Sequence, residues 1–433
     1  MSIPLDRLYH YIESIAEEIC DGHVVIYRFY PHGSKKSEDL TQLRTYPWVT
    51  EVMAPQIYCN DQEPLNYDLY EGIGVGPLQY EINKLQKENN ITVFKNNLRG
   101  DFKNIFDKAL LLHSEKRSYN VKKYQENLFI PVYYWSHAII ARDWFRFAEY
   151  VAQKKNIKKR FLIYNRAWSG TREYRLWFAD YLIREKLDKN CIMRINPVDS
   201  TIGKHYDLYH FENLNYRPLN VIEDYFPLCK VDSSYSADFD ISDYEATDIE
   251  VVLETLFDDP RLHLTEKTLR PIALGQPFIL VGPYGSLKYL REYGFKTFSD
   301  CWDESYDLMT NSTERMNKII EIMKQVTGWK SDKRQEIMSK AQEIADFNRQ
   351  HFFSKKFQNQ IINELQNNLM TALTEVEITN TSKRFLDWRK IQAKNLDIRN
   401  AMKTPNTDRT RQDLANIIKA ARQYYLRSLK HNS

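Results

Sequence analysis

Glycine is scarce in this 433-residue chain, with 13 in all, and the phosphate-binding patterns built on it are missing. There is no GxxxxGK[S/T] run, and no GxGxxG follows an apolar strand-like segment, so kinase and P-loop chemistry is disfavoured. Cysteine is thin as well: Cys20, Cys59, Cys191, Cys229 and Cys301 are scattered and odd in number. They make neither a disulfide framework nor a CxxC zinc spacing, and none adjoins a histidine in a nucleophile arrangement, which points to a reducing, cytoplasmic setting. No stretch approaches the roughly 18 continuous apolar residues of a membrane span. The opening MSIPLDRLYHYIESIAEEIC breaks its apolar residues with acids, unlike a signal peptide.

What is present is the balance of a soluble globular protein, with 42% hydrophobic and 27% charged residues. The length exceeds one ordinary core and suits two α/β domains plus an appendage. Charge is unevenly spread. From Thr381 to Ser433 there are 13 Lys or Arg against 4 Asp, a balance of +9, which leaves the rest of the chain at −6. A basic tail on an acidic body suits a polyanionic partner, although a solvated helical face would read the same.

Short apolar runs alternate with longer amphipathic stretches, the pattern of parallel α/β units. Strands are expected at His23 to Phe29, Gln56 to Cys59, Ala109 to Leu112 and Ile130 to Tyr134, followed by a helix from about Ala138 to Gln153. The charged KKNIKKR at 154–160 reads as a linker. Beyond it, strands are expected at Phe161 to Tyr164, Cys191 to Ile195 and Pro277 to Val281. Helices are expected from near Thr171, at Glu250 to Phe257, at Glu266 to Leu274, and almost without interruption after Asn311. The expected organisation is an N-terminal Rossmann-like domain at 1–153, a second at 161–330, and a helical region with the basic tail at 331–433.

Open α/β sheets place ligands on the loops after their strands, and the informative polar residues fall there. In HLTEKTLRPIALGQPFIL, a polar cluster opens a helix, Gly275 closes it, and Pro277 leads into a strand. A helix N-terminus suits a diphosphate. Glu266 is placed to accept from two ribose hydroxyls, with Lys267 and Arg270 neutralising phosphate. Thr265 and Thr268 belong to the same cluster. In the loop after Tyr164, Arg166 and Arg172 flank the Ser169-Gly170 turn and supply further positive charge. A capped surface helix with a Glu-Lys pair, and an arginine paired with Glu173, are the plain alternatives.

The Thr265-Glu266-Lys267 run and the step through Gly275 to the next strand resemble the donor motif of GT-B-fold glycosyltransferases, especially the α-1,3-fucosyltransferase type. That resemblance implies Glu266 as ribose ligand, Lys267 as phosphate ligand, and metal-independent chemistry with a nucleoside-diphosphate sugar, UDP foremost, as co-substrate and no cofactor. More loosely, DQEPLNYDLY, PVYYWSHAIIARDWFRF and TEKTLRPIALGQPFILVG together resemble phage-encoded glycosyltransferases of the T-even-type group. The implication is transfer of glucose or arabinose to 5-hydroxymethylcytosine in DNA.

An inverting transferase needs a base for the incoming hydroxyl. Asp61, with Glu63 beside it in Asn-Asp-Gln-Glu-Pro, is the leading candidate, and His137 in Tyr-Tyr-Trp-Ser-His is another. Asp238-Phe-Asp240 has a metal-binding spacing but no apolar strand before it, so no metal site is expected. Double-stranded DNA is the expected partner, with Arg384, Arg389, Lys390, Lys394 and Arg399 as phosphate contacts. Two other readings fit the same residues: transfer to a glycan, and a non-catalytic nucleic-acid-binding protein on an α/β scaffold.

Overall fold

The structure is a computed structural model, and it describes residues 11–12, 14–15, 25–28, 56–60, 109–114, 116–117, 132–151, 155–219 and 238–380. The chain divides into two compact units, one of residues 1–8 and 136–363, the other of residues 9–135 and 364–433.

The second of these units carries four parallel strands, β1 (Val25–Arg28), β2 (Gln56–Asn60), β3 (Ala109–His113) and β4 (Val132–Tyr134), adjacent in chain order. Gln56 pairs with Val25 on one side and Ala109 on the other. Each strand falls where an apolar run placed it, within two residues at either end. The helix Lys355–Asn380 contributes its later turns to this unit. Its residues Leu365, Leu369, Ala372 and Leu373 are buried, a helical stripe that leaves the intervening polar positions outward. Asn368 ties the helix to the sheet by donating Nδ2 to the Tyr134 carbonyl at 2.7 Å.

The other unit holds β5 (Lys159–Asn165), β6 (Cys191–Ile195), β7 (Thr247–Leu253) and β8 (Phe278–Val281), all parallel, in the order β6-β5-β7-β8. Helices α1 (Ala138–Trp144), α2 (Tyr174–Arg184), α3 (Ile241–Glu245), α4 (Glu266–Leu274), α5 (Ser286–Glu292), α6 (Ser312–Thr327) and α7 (Ser331–Phe353) accompany them, with Lys355–Asn380 following as α8. β7 and β8 are buried along their whole length, as strands covered on both faces must be; β8 is apolar throughout, while β7 also buries Thr247, Asp248 and Glu250. The chain winds from β5 outward to β6, then returns past β5 to β7. The crevice at the carboxyl ends of β5 and β7, where winding reverses, is therefore the favoured place for a ligand.

Three local expectations are corrected. Glu250 to Phe257 was expected as a helix, but Thr247–Leu253 is a strand. Ile249, Val251 and Val252 are β-branched and sit between β5 and β8, while Glu250 and Glu254 give the segment a misleadingly amphipathic look. The helix after His137 ends at Trp144, and a tight 3₁₀ turn, Arg146–Tyr150, takes over. Thr171 does not cap the helix that follows it: a 3₁₀ turn at Gly170–Arg172 intervenes, and the Thr171 hydroxyl donates to the Thr255 carbonyl at 3.4 Å.

Of the charged stretch, residues 155–160 are described, and they are anchored within the β5–β8 unit. Asn156 donates its N–H to Glu245 O, and Lys158 and Lys159 donate theirs to Ala246 O, at 2.8 to 3.0 Å. The crossing between compact units lies instead at Trp135–Ser136, and residues 331–363 stay with the β5–β8 sheet. Among the described residues, no helix is long and apolar enough to cross a membrane.

Candidate functional site

Two segments meet at the carboxyl ends of β5 and β7: the loop Arg166 to Arg172, and the first turn of α4. The α4 turn is fixed from below by Glu254, the residue following β7. Its buried carboxylate accepts Thr265 N–H at 2.8 Å, the Thr265 hydroxyl at 2.9 Å and the Thr268 hydroxyl at 2.6 Å. Thr265 is the N-cap, and its Oγ1 accepts the Lys267 N–H at 3.3 Å, satisfying one of the helix's open donors. Gly275 closes the helix at φ 66°, a left-handed turn that glycine adopts without strain. Pro271 stands in the second turn of α4, where it withholds the amide that would otherwise bond the Lys267 carbonyl.

Glu266 is fully buried and Lys267 is 8% exposed. Lys267 Nζ donates to Glu266 Oε1 at 2.6 Å, and to Thr255 Oγ1 and Thr265 Oγ1 at 3.2 Å each. Burial lowers the Lys267 ammonium below the ordinary lysine range. The Glu266 and Glu254 carboxylates oppose that, and the charge of Arg175 adds to it.

The β5–α2 loop is organised by two residues that sequence reasoning did not single out. Asp199, in the loop after β6, accepts the N–H groups of Trp168 and Ser169 at 2.5 and 2.7 Å through Oδ2. Its Oδ1 accepts those of Thr201 and Ile202 at 2.7 and 3.1 Å. Burial would raise this carboxyl, but the four amide donors outweigh it and hold it below its usual range. Arg175, in the first turn of α2, is buried and donates to Ala167 O at 2.6 Å, Leu253 O at 2.9 Å and Glu254 O at 2.7 Å. It ties the loop after β5 to the end of β7. The only sequence signal for Arg175 was a charge inside the otherwise apolar face of EYRLWFADYL; for Asp199 there was none.

Arg166 and Arg172 stand on this loop, both half-buried. Arg172 Nε donates to Ser169 O at 3.1 Å. Burial lowers Arg172 to about 10, with Arg175 and Arg166 adding repulsion. Burial also lowers Arg166, which feels the Glu266 carboxylate in the opposite sense. The two motif segments, 100 residues apart in sequence, thus share one electrostatic environment: Arg166, Arg172, Arg175 and Lys267 crowd together against the carboxylates of Glu254, Glu266 and Asp199.

Other expected ligands are placed differently. Arg270 turns into the interface between α4 and the sheet. Its Nη2 donates to Glu250 at 2.5 Å, its Nε to the Tyr244 hydroxyl at 3.0 Å, and its guanidinium lies 4.7 Å from the Tyr164 ring centre. Burial alone would lower it, yet Glu250 and Tyr244 hold it above the usual range. The Thr268 hydroxyl is taken by Glu254. Ser169 and Gly170 have their N–H groups bonded to Asp199 and to the Tyr209 hydroxyl. These residues shape the loop and helix from within. Asp240 caps α3 by accepting the Ser242 N–H at 2.9 Å, a structural use for that acid.

His137 precedes α1 and is 1% exposed. Its ring meets His263 edge-on at 5.3 Å, which brings it beneath the segment leading into α4. Asp61 and Glu63, and the tail residues Arg384, Arg389, Lys390, Lys394 and Arg399, lie outside the described residues. Among the described residues no group of three or more His, Cys, Asp or Glu could hold a metal ion. In comparisons with known proteins, no family model, no curated protein and no solved structure matches the chain.

Proposed function

We propose that the protein is a glycosyltransferase that draws a sugar from a nucleoside diphosphate held at Arg166, Arg172, Glu266 and Lys267. The observation that carries this reading is the crowding of Arg166, Arg172, Arg175 and Lys267 at the switch point of the β5–β8 sheet. Burial and mutual repulsion lower Arg166, Arg172 and Lys267 together. Buried cations that repel one another are relieved by a polyanionic ligand, and a leaving nucleoside diphosphate gains negative charge as the glycosyl bond breaks. Glu266, next to Lys267, is a bidentate acceptor suited to a ribose.

On this reading the two units are the two Rossmann-like domains of a GT-B enzyme, and the displacement is inverting and metal-independent. Asp61, with Glu63, is the proposed base that takes the acceptor proton. The acceptor is 5-hydroxymethylcytosine in double-stranded DNA, with UDP-glucose or a UDP-arabinose as donor and the basic tail on the phosphates. His137, shut from solvent and packed on His263, supports the α4 turn better than it serves as base.

The test is thermal unfolding with UDP, GDP, ADP and CMP in turn, for the unaltered protein and Lys267→Ala. A ligand at about 100 times its dissociation constant adds roughly 2.7 kcal/mol. A rise in midpoint with one diphosphate, lost in the variant, supports the donor site and names the carrier. No rise with any nucleotide removes the reading.

A further inference from the structure

Glu254 occupies a position that neither the donor motif nor the arginine loop accounts for. Its side chain and its backbone carbonyl point to different parts of the candidate site. The carboxylate holds the first turn of α4, accepting from Thr265 N, Thr265 Oγ1 and Thr268 Oγ1. The carbonyl holds the base of α2, accepting from the Tyr174 hydroxyl at 2.5 Å and from Arg175 Nε and Nη2 at 3.2 and 2.7 Å. Its own N–H donates to Val281 O at 3.0 Å, which fixes it to the end of β8. The room for this side chain is set by Gly282, where a Cβ would stand 3.6 Å from Glu254 Cβ and 3.3 Å from Ser286 Oγ. A negative charge buried beside an anion site weakens anion binding by simple Coulomb repulsion, so its presence there calls for another use.

We infer that Glu254 is a positioning residue that sets the register between the arginine-bearing loop and the Glu266-Lys267 turn, so that both face one diphosphate. The inference rests on the donor-site reading for its consequence, though not for its geometry. A carboxylate suits the task because it accepts without donating, and four donors converge on it, the three from α4 and the Thr255 N–H at 2.9 Å. A glutamine of the same shape presents one oxygen and an NH2 group; since one backbone N–H, of Thr265 or Thr255, bonds each carboxylate oxygen, at least one of the four links is lost. Lys267 is affected in turn: its Nζ bonds Thr265 Oγ1, the same hydroxyl that Glu254 orients.

The test compares Glu254→Gln with the unaltered protein by two readouts. The first is amide hydrogen exchange of the 263–270 segment, set against global stability from urea denaturation. The second is affinity for the diphosphate that raises the midpoint, by calorimetry. Loss of protection in the α4 turn beyond the global change, with affinity about tenfold weaker, is expected from the loss of one charge-assisted hydrogen bond. Affinity unchanged or tighter means that Glu254 acts only as a charge, and overturns the inference. Thr268→Val removes one link while leaving the carboxylate, and the same changes are expected at smaller size. Should the unaltered protein bind no diphosphate, the donor reading fails by itself, and exchange still decides: protection unchanged in Glu254→Gln overturns the positioning role.

Discussion

Arg270 and Glu250 form a buried ion pair at 2.5 Å across the interface of α4 and β7. The Tyr244 hydroxyl bonds both members, donating to Glu250 and accepting from Arg270 Nε. Each charge depends on the other for compensation, since neither reaches water. Arg270→Met therefore strands a carboxylate in the core and is expected to cost about 3–5 kcal/mol in urea denaturation. Replacing both, as Arg270→Met with Glu250→Leu, removes the stranded charge and recovers most of that loss. Diphosphate affinity in the double variant stays near the unaltered value if Arg270 only shapes the helix. A loss as large as that of Lys267→Ala would return Arg270 to the ligand set.

Asp199 gives an acid-side prediction. Its carboxyl is held below the ordinary aspartate value of 3.8 by four amide donors. A depressed folded-state value contributes stability that is fully present above the unfolded value and is lost as pH falls through the folded one. The unaltered protein should therefore lose stability from this group below about pH 3.8, in the region where the unfolded chain binds the extra proton first. Asp199→Asn removes that contribution and should cost about 1.5–3 kcal/mol at neutral pH, with a shallower acid limb. Equal acid limbs in the two proteins would show that the carboxylate contributes no such term.

Much of the sheet was legible because buried parallel strands are apolar runs bounded by polar loops. Cys191–Ile195 and Glu266–Leu274 coincide with their expected limits. The α4 turn was legible too, since Thr265, Glu266, Lys267 and Gly275 carry local cap chemistry. What was hidden depends on distant partners. Glu254 and Asp199 look like ordinary acids in VVLETLF and NPVDST, and only the winding of the sheet brings them to α4 and the β5–α2 loop. Arg270 was misleading for the same reason: four residues after Glu266, it sits one turn along α4, on the side that faces Glu250. Helical spacing fixes which residues share a face but not which face meets the sheet.

Lys267 gives opposite pH slopes for stability and for binding. Burial lowers its ammonium from the ordinary 10.5. Between the folded-state value and 10.5 the unfolded chain binds more protons, so this group makes the ligand-free protein more stable as pH rises. Over the same window the folded lysine loses the charge that attracts phosphate, so diphosphate affinity falls. Calorimetry from neutral to alkaline pH should show that decline well before an ordinary lysine would titrate. Lys267→Arg keeps its charge throughout, and its affinity should follow only the titration of the ligand and other groups. Identical pH profiles would remove Lys267 from the phosphate contacts.

Asp61 separates chemistry from donor binding. If it takes the acceptor proton, Asp61→Asn keeps the side chain's shape and removes the base. Sugar transfer to hydroxymethylated duplex DNA should then fall by about 10²–10⁴-fold in kcat, while the thermal shift with the diphosphate stays as in the unaltered protein. Glu63→Gln distinguishes a shared role: a comparable fall means that both carboxylates handle the proton, and a small fall means that Asp61 acts with Glu63 only orienting it. His137→Gln, which alters a buried ring packed on His263, should lower stability more than kcat. Full transfer by Asp61→Asn, with Glu63→Gln equally active, would show that neither carboxylate is the base.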